Sequence, residues 1–147
     1  MRTANLLQQE KDLLHAALGA LESAMADSTL KPAFYFASAY PYIFADAGLT
    51  TAVTNWASYA DTSVNFEATG KPNMGAAFNF NLLEHDPGAF AHNSLYTRLL
   101  IFDSIDWLDN NVLDGSIDLS LHPGAAKYLQ RDSITGNDGA ALRPEMF

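Results

Sequence analysis

Residues 99–109 read LLIFDSIDWLD, and this stretch carries a strong helical signal. Its apolar residues recur at intervals of three and four, which is the spacing of one face of an α-helix. The apolar pattern extends back to Leu95, and Asn93 or Ser94 provides a residue at which the helix can start. We therefore predict a helix from residue 93 or 94 to about Asp109, with a wide apolar side that packs into a core.

A second amphipathic helix is predicted near the start of the chain, from residue 6 to about residue 26. Its apolar stripe consists of residues spaced by seven, four, three and four: Leu7, Leu14, Leu18, Leu21 and Met25. Such spacing places all five side chains on one side of a helix. The stripe is suited to packing against a core, or equally to facing a second copy of the chain.

Two shorter helices complete the predicted set. One runs from Met74 to about Glu84 and is capped by Asn73, after a loop whose Gly, Pro and Asn content is typical of turns. The other begins at Pro123, a residue that suits the first turn of a helix, and continues through about residue 129. Between them, Asp114-Gly115 is a turn signal that predicts a small strand pair.

These elements predict one domain of the mainly α class. It contains about four helices, an aromatic-rich irregular segment and a short β-ribbon near residues 114–115. Along the chain, the predicted parts are an amphipathic helix (1–27), the aromatic-rich irregular segment (31–72), a helical motif region (73–130) and a tail (131–147).

Composition limits the functions open to the chain. Of 147 residues, 48% are hydrophobic and 17% are charged, which favours a folded core over disorder. The formal charge of −9 argues against a nucleic-acid partner. No apolar run is long enough to predict membrane insertion. Since the chain has no cysteine, it cannot attach a c-type haem covalently.

Aspartates form the most unusual electrostatic feature of the sequence. Asp103, Asp106 and Asp109 recur every three residues, so like charges face one another on one helix, at a cost of a few tenths of a kcal/mol per pair. With Asp114 and Asp118 they are candidate ligands for a metal ion, calcium in particular, because calcium prefers oxygen ligands. The alternatives are a partner Arg or Lys, the capping of backbone donors of a neighbouring segment, or a solvated acidic face.

Two histidines, His85 and His92, flank an Asp-Pro-Gly turn that can bring them together. Five aromatic residues are candidates either for a surface that contacts a flat cofactor or for the core: Tyr40, Tyr42, Phe44, Trp56 and Trp107. The sequence contains no nucleophile elbow and no Walker or Rossmann glycine pattern. We therefore assign no catalytic residue and regard an enzyme as the weaker class.

Three strings give the chain a family resemblance. They are NMGAAFNFNLL (73–83), HDPGAFAHN (85–93) and the stretch at 99–109, with support from AYPYIF (39–44). Together they resemble the C-terminal portion of large secreted multihaem c-type cytochromes of metal- and sulfur-respiring bacteria. The resemblance covers roughly residues 34–129.

This resemblance implies a haem-free domain in the periplasm or outside the cell, which supports electron transfer by assembly, capping or docking. Its partner would be the haem-bearing portion of a cytochrome or another protein, and homo-oligomers are compatible with it. Any haem would come from another part of the parent protein, with His85 or His92 as candidate iron ligands. The rival interpretations are a stand-alone acidic module that binds calcium or polysaccharide, and a small metal-dependent hydrolase.

Overall fold

A computed structural model of the chain describes residues 2–29, 31–59, 66–129 and Arg143. The elements in chain order are α1 (Arg2–Ala26), β1 (Tyr35–Phe36), β2 (Ile43–Phe44), a 3₁₀ helix (Trp56–Tyr59), α2 (Phe66–Glu84), α3 (Ser94–Asn110) and α4 (Pro123–Leu129). The predicted class is confirmed, because the described chain is mainly helical and carries one short two-stranded ribbon.

The central helix is α3, the element predicted from residues 99–109. Its side chains Ile101 and Phe102 are fully buried, and Ile105 and Leu108 are nearly so. They meet the buried faces of α1 and α2 in one hydrophobic cluster, which Tyr128 and Leu129 of α4 complete. Burial of such side chains stabilises the fold by roughly 1.5–3 kcal/mol each.

Most of the apolar stripe predicted for α1 is confirmed. Leu14, Leu18, Leu21 and Met25 are buried, but Leu7 is 48% exposed, so its predicted place in the core is wrong. Residues 4–9 are all exposed, because the first turns of α1 extend past the helices that cover its later part. On that later part, Gly124 of α4 approaches so closely that an added Cβ would lie 2.9 Å from the Cβ of Ala16.

The ribbon lies in a different place from the one predicted. Strands β1 and β2 pair antiparallel, with Tyr35 opposite Phe44. In contrast, residues 111–122 contain no strand. There, aspartate side chains accept the backbone N–H groups of Gly115, Ser116 and Ser120, and such local bonds replace a strand ladder.

Helix α2 begins earlier than predicted. Residues 66–73, expected to form a loop, belong to the helix, and Pro72 lies inside it. The predicted cap, Asn73, is instead 1% exposed within the helix. Packing against α1, α3 and the 3₁₀ helix overrides the local preference of the Gly and Pro residues. Residues 60–65 and most of the predicted tail at 131–147 lie outside the described residues.

Candidate functional site

One face of α2 is apolar and exposed. Met74, Phe78 and Leu82 are 41%, 67% and 49% exposed. At 100° per residue these positions and His85 fall within about 80° of the helix circumference. A row of large apolar side chains on a surface marks an interaction site more often than scattered single residues do. We call Met74, Phe78, Leu82 and His85 the α2 stripe.

The opposite face of α2 already serves the core. Ala76, Ala77, Phe80 and Leu83 are all buried there. The fold therefore does not need the α2 stripe for its own packing. The helix predicted from Met74 to about Glu84 carried no prediction of this exposed stripe. The signal was available, since Met74, Phe78 and Leu82 recur at intervals of four, the spacing of one helix face.

An aromatic cluster adjoins the stripe at its His85 end. The ring of Tyr42 lies 4.9 Å from that of His85 and 6.2 Å from that of Phe36, on which it stacks. Phe36 in turn meets the buried ring of Phe80 edge to face at 4.5 Å. At the tip of the ribbon loop Tyr40 is 85% exposed, and its ring lies 6.0 Å from that of Tyr42.

The backbone holds Tyr42 in this cluster. Its φ of 69° lies in the left-handed region, which costs a bulky residue of order 1–3 kcal/mol. Its N–H donates to the carbonyl of Ala39 at 3.0 Å, and its own carbonyl accepts from Ala37 at 2.7 Å. The fold thus fixes the Tyr42 ring beside His85.

The imidazole of His85 has a defined orientation. Its Nδ1 lies 2.8 Å from the carbonyl oxygen of Asn81, so Nδ1 carries the proton and donates it. The second nitrogen, Nε2, is therefore the one that carries a lone pair in the neutral ring. Histidines that bind metals commonly donate their other nitrogen to a carbonyl in this manner.

The structure places His92 differently. Its Nε2 lies 3.5 Å from Oδ1 of Asp86 and packs over Gly88, where an added Cβ would collide with the ring. The carboxylate of Asp86 also accepts the N–H of Gly88 at 2.9 Å. Because its Nε2 faces the carboxylate of Asp86, in the loop that precedes α3, His92 is the weaker candidate of the two for binding iron.

The other three predicted aromatic residues are buried or half-buried against the rest of the fold. Phe44 is 9% exposed and belongs to the core side of the ribbon. Trp56 is half-buried, with its ring 4.9 Å from that of the buried Phe34. Trp107 is also half-buried, and it lines a cavity of ≈ 430 Å³ between α2 and α3 together with Lys71 and Asp103.

The aspartates of α3 have separate environments. Asp103 binds the guanidinium of Arg143 through two hydrogen bonds of 2.7 and 2.8 Å. Asp106 is fully buried, and its Oδ2 accepts the N–H of Gly115 at 2.9 Å, whereas its Oδ1 has no hydrogen-bond partner. Burial, with help from the neighbouring Asp114, raises the pKa of Asp106 above the usual range of a carboxyl group.

Asp109 remains exposed at the surface, where partial desolvation and the carboxylates of Asp106 and Asp114 raise its pKa to about 6. Hydrogen bonds from Ser116 lower the pKa of Asp114, and the backbone N–H of Ser120 lowers that of Asp118. Over the described ranges, no group of three or more His, Asp or Glu side chains is arranged to hold a metal ion. Asp106, Asp109 and Asp114 lie close enough to interact electrostatically, and the metal-binding role of the five predicted aspartates stays a prediction.

Sequence reasoning also missed Lys31, which is 6% exposed. Its Nζ donates to the carbonyls of Met25 and Asp27, at 2.9 and 2.8 Å, and so ties the end of α1 to the next segment. Burial lowers the pKa of Lys31 to about 8. No local pattern signals this role, because it depends on how the chain turns after α1.

Comparison with known proteins relates the chain to one class of protein. Over about three quarters of its length, this cysteine-free chain is similar in sequence to a part of c-type cytochromes that carry many haems. The relatives are the C-type polyheme cytochromes OmcB and OmcC of Geobacter sulfurreducens. OmcB is 37% identical over 126 residues, covering 78% of this chain, and OmcC is 39% identical over 122 residues, covering 76%.

The similarity covers only a small part of those cytochromes. The chain spans 16% of OmcB and 15% of OmcC. The resemblance to multihaem cytochromes is thereby confirmed, and its location in their C-terminal portion stays a prediction. No family model matches the chain. No solved structure matches it either. Among the described helices, none combines the length and apolar character needed to cross a membrane.

Proposed function

We propose that this chain is a haem-free module that docks on the haem-bearing part of a multihaem c-type cytochrome in the periplasm or outside the cell. It supports electron transfer indirectly, by capping and organising that part. The observation that carries the proposal is the exposed α2 stripe. Its apolar side chains are surplus to the core of this chain, and in the relatives a haem-rich polypeptide accompanies the similar segment.

The chemistry of the stripe suits such a partner. A docked haem protein offers apolar porphyrin edges and apolar side chains, and burying these against Phe78 and Leu82 is favourable at roughly 25 cal/mol per Å². The exposed Tyr40 and the half-buried Tyr42 add aromatic surface with a polar hydroxyl each, a combination enriched at interfaces.

At the end of the stripe, His85 is proposed as an axial ligand for a haem iron of the docked partner. A neutral imidazole is a common ligand of haem iron. The bond from Nδ1 of His85 to the carbonyl of Asn81 sets the tautomer that leaves Nε2 able to bind iron. The rings of Tyr42 and Phe36 beside it limit its rotation.

Binding to the rest of OmcB tests the docking proposal. The partner is OmcB from which the segment similar to this chain has been deleted, and binding is measured by isothermal titration calorimetry. We expect the double variant Phe78→Asp/Leu82→Asp to abolish detectable binding, because it places two charges in a desolvated interface. Val112→Asp, which changes an exposed apolar residue outside the stripe, is the matched control and is expected to bind like the unchanged chain.

Two outcomes would contradict the proposal. One is the absence of any binding by the unchanged chain. The other is equal weakening by the stripe variant and the Val112→Asp control. Sedimentation analysis of the chain alone identifies the competing occupant of the stripe, a second copy of the same chain. A stable dimer that the stripe variant dissociates would assign the stripe to self-association instead.

The calcium-binding and hydrolase alternatives receive no such support. Among the described residues, Asp103 is paired with Arg143 and Asp106 accepts the N–H of Gly115. The rings of His85 and His92 are directed to different partners, the carbonyl of Asn81 and the carboxylate of Asp86.

A further inference from the structure

A second surface, away from the α2 stripe, has the form of a docking groove. A cavity of ≈ 340 Å³ lies between α1, the end of α3 and the segment that leads into α4. Its floor is apolar and built from Ala20, Ala24, Ile105, Leu108 and Leu119. The two alanines sit one turn apart on α1, and their small side chains leave the space that the groove occupies.

The rim of this groove is acidic. Asp27, Asp109 and Asp118 line it, together with Ser23, Ser120, Leu121 and His122, and no Lys or Arg is among its described lining residues. Hydrogen bonds from Thr29 lower the pKa of Asp27, and the bond from Ser120 does the same for Asp118, so both stay ionised at neutral pH. The nearby Lys31 directs its Nζ to backbone carbonyls.

Among the described residues that line the groove, none offers Asp109 a permanent positive charge. Its carboxylate lies near those of Asp106 and Asp114, and each of these neighbours makes its ionisation less favourable. A positive group bound at the rim would relieve this repulsion. At the same time Leu121, 88% exposed at the mouth of the groove, offers apolar surface that a ligand can cover.

We propose that the groove binds an extended segment of a partner protein in which lysine or arginine alternates with apolar residues. Apolar side chains of the segment enter the groove between α1 and α3, and its cationic groups meet Asp27, Asp109 and Asp118. Charge complementarity selects this occupant, because an anionic or neutral segment would leave the carboxylates of Asp109 and Asp118 without a cationic partner among the described lining residues, whereas Asp27 already has Lys31 nearby. The inference is independent of the docking role of the α2 stripe.

The test uses two short peptides, acetyl-Leu-Lys-Leu-Lys-amide and acetyl-Gly-Lys-Gly-Lys-amide, titrated into the isotopically labelled chain. Backbone resonances are followed by NMR. The leucine peptide is expected to shift the amides of Ala24, Leu119 and Ser120. In Asp109→Asn/Asp118→Asn its affinity should fall roughly three- to tenfold, as two exposed charge pairs predict. Asp12→Asn, an exposed acid of α1 outside the groove, is the control and should leave the affinity unchanged.

Four results would overturn the proposal. The first is no shift at the groove. The second is equal binding of the glycine peptide, which would mean that charge alone acts. The third is equal weakening by the groove variant and Asp12→Asn, which would indicate a diffuse effect of net charge. Far-ultraviolet circular dichroism of each variant shows whether it is folded, and a folded variant with unchanged affinity also counts against the groove.

Discussion

The Nδ1–H of His85 donates to the carbonyl oxygen of Asn81, 2.8 Å away and one turn earlier in α2. This bond distinguishes His85 from His92, whose Nε2 is turned toward the carboxylate of Asp86. Sequence reasoning treats the two histidines as equivalent, since both flank one turn. In the structure, only His85 of the two makes a ring-to-carbonyl hydrogen bond of the kind that is common among metal-binding histidines.

A first prediction concerns these two histidines. Added ferric haem, used as a probe for iron binding, is expected to give the Soret shift of an imidazole-ligated iron with the unchanged chain. His85→Ala should lose most of that shift, because it removes the oriented Nε2. His92→Ala is the matched control and should keep it. Absorption titration measures both, and loss of the shift in His92→Ala alone would reverse the assignment.

The two faces of α2 predict opposite responses to mutation. Phe80 is 2% exposed, so Phe80→Ala is expected to lower the free energy of unfolding by about 3–5 kcal/mol. Phe78 is 67% exposed, so Phe78→Ala should change it by no more than about 0.5 kcal/mol. Urea unfolding followed by circular dichroism compares the pair. A large loss of stability in Phe78→Ala would show that the stripe serves the fold rather than a partner.

Two glycines provide a test of the contact between α1 and α4. Gly124→Ala is expected to destabilise by about 1–3 kcal/mol, because its new Cβ would lie 2.9 Å from that of Ala16. Gly19 lies within α1 with nothing inside 4 Å of an added Cβ, so Gly19→Ala should stabilise by about 0.5–1 kcal/mol. Thermal melting measures both, and a gain of stability in Gly124→Ala would contradict the close approach.

The pKa of Asp109 predicts a dependence of stability on pH. Its pKa is raised from 3.8 to about 6 in the folded chain, so the folded state holds this proton more tightly than the unfolded state. Its contribution to stability is therefore full below about pH 4 and is lost as the pH rises through 6. Asp109→Asn should remove this loss and increase stability at pH 7, by less than about 1 kcal/mol because the site is exposed.

Urea midpoints of the unchanged chain and Asp109→Asn at pH 4 and pH 7 measure this effect. The difference between the two proteins should be larger at pH 7. Asp12→Asn, an exposed acid on α1, is the control for a general change in net charge. An equal response of the two variants would contradict a specific contribution of Asp109 to the pH dependence of stability.

Sequence patterns predicted the helices that carry their own signals. The three-and-four spacing in residues 99–109 predicted α3 almost to its ends, and Pro123 marked the first residue of α4. These patterns depend only on residues that are close in sequence, so they can be recognised without knowledge of the fold. Where the start of a helix depends on packing, sequence patterns did not predict it. Helix α2 begins at Phe66 because its neighbours support a first part that Gly70 and Pro72 would disfavour in isolation.

The candidate site was less predictable, for a physical reason. Asp103 and Arg143 are 40 residues apart, and only the fold shows that they pair. Likewise the sequence showed three acids at helical spacing but not that Asp106 is buried against the turn at Gly115. The α2 stripe was predictable in principle, since Met74, Phe78 and Leu82 recur every four residues, beside the second apolar set at 76, 77, 80 and 83.

Docking through the α2 stripe is tested most directly by amide hydrogen exchange of this chain, alone and with OmcB that lacks the similar segment. Docking through the stripe predicts slower exchange in residues 74–85 and 40–42 of the complex, with residues 4–12 unchanged. Protection confined to α1, or no protection at any amide under conditions that saturate binding, would contradict it.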